Sequence, residues 1–172
     1  MTVRMGSESQ HIEVHKFYAG AVLGVCFLAL VLQAFLNRFS PRFGILELPL
    51  LVVVYFGLSR RNSVIGLLLG TAVGLLQDGI SHTPIGLYGI AKGFIGYIAS
   101  SIGARLDTEH PISRFILMFL FFHIHQVLLA LTMRLLLVQH APFFTVHLLI
   151  SSLLNSVIGV FLFAGLDRLR KQ

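Results

Sequence analysis

Charge and cysteine are scarce in this chain. Of its 172 residues only 12% are charged and one is cysteine, whereas a soluble domain usually carries about 25% charged residues. Cys26 has no partner for an intrachain disulfide, which excludes a disulfide scaffold. Apolar residues fill the space instead, at 56% of the chain with a mean hydropathy of +0.86. A domain of about 150 residues leaves roughly 30% of its chain surface exposed, so a soluble core could not hide that excess. An ordinary soluble enzyme and a disordered protein are excluded with it. An integral membrane protein of one domain remains.

Recognisable catalytic motifs are missing too. There is no HExxH, no cysteine pair, no carboxylate cluster and no GxSxG elbow. Gly66-x-x-x-Gly70 is not followed by Lys-Ser/Thr and so is no phosphate loop. Of the eight histidines, His123 and His125 are two apart, about 200° around a helix, and point to different faces. His140 and His147 flank the start of the last apolar run. Neither a metal, a cofactor nor an enzymatic activity is expected.

Acidic residues are the minority charge, 7 against 13 Lys+Arg, for a formal +6. Most of the basic residues sit at the ends of apolar runs, so membrane topology accounts for them without nucleic acid. A helical span needs about 20 apolar residues. Six runs are candidates: Phe17–Leu36, Ile45–Leu58, Val64–Gln77, Ile85–Ile102, Ile112–Val138 and Phe143–Leu166. The second and third are only 14 residues each. Joined as one re-entrant hairpin, they would bury Arg60 and Arg61 in lipid at several kcal/mol. Two short spans with the arginines at a surface is the better reading. The sequence therefore predicts an all-α integral membrane protein, a compact six-helix bundle over 17–166. It has a short cytoplasmic segment at 1–16 and a basic cytoplasmic tail at 167–172. Arg4, Lys16, Arg60, Arg61, Arg105, Arg114, Arg168, Arg170 and Lys171 would mark the inside. Only Arg38 and Arg42 would lie in outer loops, which orients both termini inward.

Small residues recur at helical spacing. Gly66, Gly70 and Gly74 share one face of the third run. Gly86, Gly89, Gly93, Gly96, Ser100 and Gly103 make a second stripe in the fourth. Such stripes let backbones approach in lipid, so these two runs are expected to pack together. Ser151, Ser152, Asn155, Ser156 and Gly159 lie near one face of the last run, and His123, Gln126, Ala130 and Arg134 align on the fifth. These stripes either glue helices together or line a pocket. Glu47, Asp78 and Lys92 are the isolated charges at membrane depth. Burial of any of them demands a partner or water, and Lys92 is expected to pair with Asp78 or Glu47 or to snorkel toward the outer interface.

The stretch Pro49-Leu-Leu-Val-Val-Val-Tyr55-Phe-Gly57-Leu58-Ser-Arg60-Arg61 is followed by Gly66-x-x-x-Gly70-x-x-x-Gly74-Leu-Leu-Gln77-Asp78. Then comes Gly-Ile-Ser81-His82-Thr83-Pro84-Ile85-Gly86. In order, this resembles the MreD family of rod shape-determining membrane proteins: a proline-led apolar span, a short basic turn, and a glycine-rich span ending in aspartate before a proline-glycine turn. Leu50 departs from it, standing where the family often carries Asp or Asn, and His82 stands where glycine is common. The resemblance implies a non-enzymatic inner-membrane subunit of the cell-elongation complex. It would scaffold MreC and, through it, MreB, RodA and a penicillin-binding transpeptidase in peptidoglycan synthesis. It also implies a fold like the substrate-binding subunits of energy-coupling-factor transporters, with an outward groove. Glu47, Pro49, Asp78, Pro84, Gly86 and Lys92 would belong to that groove, and membrane lipid would surround it. The competing reading is a small-molecule-binding subunit of such a transporter. A lipid-modifying enzyme would require paired acids or a nucleophile–base set that the sequence does not offer.

Overall fold

The computed structural model describes residues 19–39, 45–106, 110–136 and 145–169. Arg4, Lys16, Arg42, His140, Arg170 and Lys171 lie outside the described residues, as does the expected segment 1–16. Within them run six α-helices: α1 Ala19–Phe39, α2 Leu48–Arg60, α3 Ser63–Ser81, α4 Leu87–Gly103, α5 Pro111–Leu136 and α6 Val146–Leu166. A short 3-10 turn, Asp167–Leu169, follows α6. Helices α1, α3, α5 and α6 are long and apolar enough to cross a membrane. Helices α2 and α4, of 13 and 17 residues, are shorter. Six helices thus stand where six spans were expected, and four of them meet a span's length and hydropathy unaided.

The helix ends follow local chemistry. Pro49 in the first turn of α2 supplies a pre-set φ and has no N–H to leave unpaired. Arg61 ends that helix in the left-handed region, at φ 55°, with its N–H donating to Gly57 O at 3.3 Å. Asn62 then caps α3, its Oδ1 accepting from the N–H groups of Val64 and Ile65 at 3.1 Å each. His82 ends α3 at φ 53°. This is the position where the resemblance led one to expect glycine, and it has the backbone conformation glycine favours; histidine is among the residues that tolerate it.

Helix α2 is the axis of the bundle. Every side chain from Pro49 to Ser59 is buried, which is the pattern of a helix apolar on all sides. Helix α1 packs on α2 and α3, α3 on α4, α4 on α5, and α5 on α6, while α4, α5 and α6 also touch α2. Being enclosed by protein, α2 needs no lipid-facing length of its own. The tightest contact is α3 against α4. A Cβ on Gly70 would collide with Lys92 O, one on Gly66 with Gly96 O and Ser100 Oγ, and one on Gly74 with Tyr88 O. Gly89, Gly93 and Gly96 face this seam from α4. The two stripes therefore meet, and the backbones touch where side chains would hold them apart.

Contacts between helix ends define two poles. At one, Ser63 Oγ and Ser101 Oγ lie 2.9 Å apart, Arg114 Nη1 donates to Asp167 Oδ2 at 2.7 Å, and Tyr55 Oη donates to Asp167 Oδ1 at 3.0 Å. Arg60, Arg61, Arg105 and Arg168 sit at this Arg60 pole. The other is the Asp78 pole, where α3 turns into α4 and α1 turns toward α2.

Candidate functional site

Segment 45–47 reaches α2 inside the bundle as chain outside any α-helix, with Ile45 in a 3-10 turn and Glu47 at φ −120°, ψ 69°. Its partner on α6, Asn155, is nine residues past that helix's start, about 14 Å along its axis. Backbone polar groups at such depth have no water to bond, and each one left unpaired costs several kcal/mol. Two side-chain amides satisfy them. Asn155 Nδ2 donates to Ile45 O at 2.8 Å, and its Oδ1 accepts from Glu47 N at 2.9 Å. From the other side, Gln33 on α1 donates to Leu46 O at 2.8 Å and accepts from Leu48 N at 3.0 Å. Each amide grips alternate residues by one carbonyl and one N–H. The clasp delivers Glu47 to the core.

Around Glu47 lies a buried polar cluster. Lys92 Nζ, on α4, is 3.2 Å from Glu47 Oε2, and Gln77 Nε2, on α3, donates to the same oxygen at 3.4 Å. His125 Nε2, on α5, is 3.3 Å from Lys92 Nζ. With Lys92 as an ammonium, which can only donate, His125 Nε2 would be the acceptor of this contact. The Tyr88 ring faces the ammonium at 4.4 Å from its centroid and stacks on the His125 ring at 6.1 Å. Lys92 and His125 are fully buried, and Glu47 is 7% exposed. Lys92 therefore pairs with Glu47.

Asp78 does something else. Fully buried, its carboxylate accepts from Thr83 Oγ1 at 3.0 Å, Gly86 N at 2.9 Å, Tyr88 N at 3.0 Å and Gly89 N at 3.3 Å. It caps the start of α4 across the turn, where an anion is favoured by the helix dipole. Gly86 sits at φ 102°, a conformation that side-chain-bearing residues rarely adopt. That geometry aims its N–H at the carboxylate.

Of the six residues expected to line an outer groove, Glu47, Pro49, Asp78 and Lys92 are buried, Gly86 is half-buried and Pro84 is exposed. The buried four set the frame of the Asp78 pole, and the 81–86 turn carries its surface, with Ile85 86% exposed. On α6, Ser151, Ser152 and Ser156 donate to carbonyls of their own helix, so Asn155 alone of these four bonds across. On α5, His123 is half-buried, bonds Phe119 O and lines an open cleft of about 230 Å³ against the start of α6. Among the described residues no cluster of three or more His, Cys, Asp or Glu is placed to hold a metal.

A model of the rod shape-determining protein MreD matches residues 15–169. The chain belongs to the MreD family. Membership carries a role in rod shape determination, and the chain is a multi-pass membrane protein of that system. No curated protein and no solved structure matches it, so a likeness to energy-coupling-factor transporter subunits has no match behind it.

Sequence reading missed Gln33 and His125. Both fall in apolar register: Gln33 with the buried Val22, Cys26, Ala29 and Leu30, and His125 with Met118, Phe121, Phe122 and Leu129. A polar residue on the buried stripe of a span was the available signal.

Proposed function

We propose that this MreD-family chain is a non-enzymatic scaffold of the cell-elongation complex. It crosses the inner membrane six times with both termini cytoplasmic and docks MreC at its Asp78 pole. Through MreC it would engage MreB, RodA and a penicillin-binding transpeptidase. The observation that carries the reading is the rigid Asp78 turn. Four hydrogen bonds onto one buried carboxylate fix the backbone that presents Pro84 and Ile85. An apolar side chain on a preorganised turn loses little entropy when a partner covers it. The Arg60 pole, with Arg61, Arg105 and Arg168, fits the inner face, and enclosure of α2 removes its need for a full span length.

The test is co-purification of MreC from membranes with Pro84→Arg and Ile85→Asp, which alter the exposed turn and leave Asp78 intact. MreC recovery should fall several-fold while the yield and elution of the bundle stay unchanged. Undiminished recovery with both variants would overturn docking at this pole. Cysteine-accessibility mapping that places Arg60 outside would overturn the orientation. The other reading, a small-molecule-binding subunit of an energy-coupling-factor type transporter, requires an ATPase module in the same pull-down.

A further inference from the structure

Lys92 is enclosed as well as paired. Three groups face its terminal nitrogen: the Glu47 carboxylate at 3.2 Å, His125 Nε2 at 3.3 Å and the Tyr88 ring at 4.4 Å. A primary ammonium carries three N–H donors and no acceptor. The walls offer three matching acceptors, a charge, an imidazole nitrogen and a π face. Gln77 braces the carboxylate from behind, and its own Oε1 is buried without a hydrogen-bond partner. His125 Nδ1 is likewise buried and unpartnered. Every polar contact of Lys92 is made by its terminal nitrogen. The methylenes, buried with it, connect that nitrogen to α4.

We propose that the core of this bundle is a primary-ammonium binding site whose built-in occupant is the side chain of Lys92. Covalent attachment holds the occupant at a high effective concentration, so the native chain keeps the site filled by itself. The chemistry is selective. A quaternary ammonium brings no donors, a guanidinium ion spreads its donors around a plane, and an alcohol brings no charge to neutralise Glu47. Truncation at Cβ would leave a vacancy in the shape of n-propylammonium, and a vacancy of defined shape in a packed core can take up the group removed from it. This goes beyond the scaffold reading and stands or falls separately from MreC docking.

The experiment uses the full chain in detergent with Lys92→Ala, extracted and held in n-propylammonium chloride. Parallel samples contain 1-propanol, tetramethylammonium chloride, guanidinium chloride at low concentration, or sodium chloride at equal ionic strength. The variant should melt well below the native chain. Propylammonium should restore at least half of the lost melting temperature, saturably, and the other additives should restore none. Adding Glu47→Gln to Lys92→Ala should abolish the rescue. Equal rescue by propanol or sodium chloride, or no rescue of a folded variant, would overturn the proposal. Should Lys92→Ala give no folded protein, Lys92→Met keeps the bulk and removes the charge. It should melt below the native chain and recover when combined with Glu47→Met; a Lys92→Met chain that melts with the native one would also overturn the proposal.

Discussion

The α3–α4 seam and the clasp on residues 45–48 solve one problem in opposite ways. At the seam both backbones are regular helices whose hydrogen bonds are internal, so nothing polar needs outside help. The only requirement there is room, and glycine supplies it at Gly66, Gly70 and Gly74. At the clasp the backbone leaves the α-helix inside the bundle, and its polar groups depend on Gln33 and Asn155. The seam tolerates no added atom; the clasp tolerates no missing one. Where a bundle keeps its helices regular, small residues suffice. Where it interrupts one, specific side chains from other helices must replace water.

Substitutions that exchange the two requirements test this contrast. The largest effect is expected from Gly70→Leu. Its side chain would have to displace the main-chain carbonyl of Lys92, so α3 and α4 must part, at a cost of at least about 3 kcal/mol. Size-exclusion chromatography should show loss of the monodisperse bundle, whereas Gly79→Ala, with open space at its Cβ, should elute as the native chain does. Native-like melting of Gly70→Leu would mean that the seam is not tight. Asn155→Leu comes next. It strands the part-buried Ile45 O and the buried Glu47 N; a buried group left unpaired costs roughly 1–3 kcal/mol, read as a lowered unfolding midpoint in a denaturing-detergent titration. Gln33→Leu should act in the same direction but less, because both of its bonds are part-buried whereas Asn155 also makes a fully buried one. If Gln33→Leu proves the more damaging, α1 rather than α6 holds the segment. The smallest effect is Asn62→Ala, which removes an exposed cap at about 1 kcal/mol and should shift the thermal midpoint by a few degrees at most.

The same contrast decides what could be read from the sequence. The seam was legible because its signal is periodic: glycines four apart on one run and three or four apart on the next can only form stripes. The positions of the six helices were legible from hydropathy, with α2 starting three residues later than its apolar run; four of the six have a span's length and hydropathy. The clasp was not legible. Asn155 bonds chain 108 and 110 residues away, and no local pattern announces such a pairing. Lys92 and Glu47 stood out as lone charges in apolar runs, so a pair was expected; His125 did not, because its histidine neighbour two residues away drew attention to the wrong face. Asp78 was legible as a buried charge and as a turn residue, but its role as the cap of α4 depends on the φ of Gly86, which spacing does not reveal.

Helix α2 carries a further consequence, for the order in which the protein can be made. It is 13 residues long, begins beside Glu47, ends in Arg60 and Arg61, and turns no buried side to lipid. A segment of that length is too short to be held in a bilayer by its own partitioning. It becomes stable only when its neighbours surround it, and one half of its clasp, Asn155, is synthesised after α1 to α5. The axis of the bundle is therefore the part that waits, so a chain cut off before α6 should fail at its centre first.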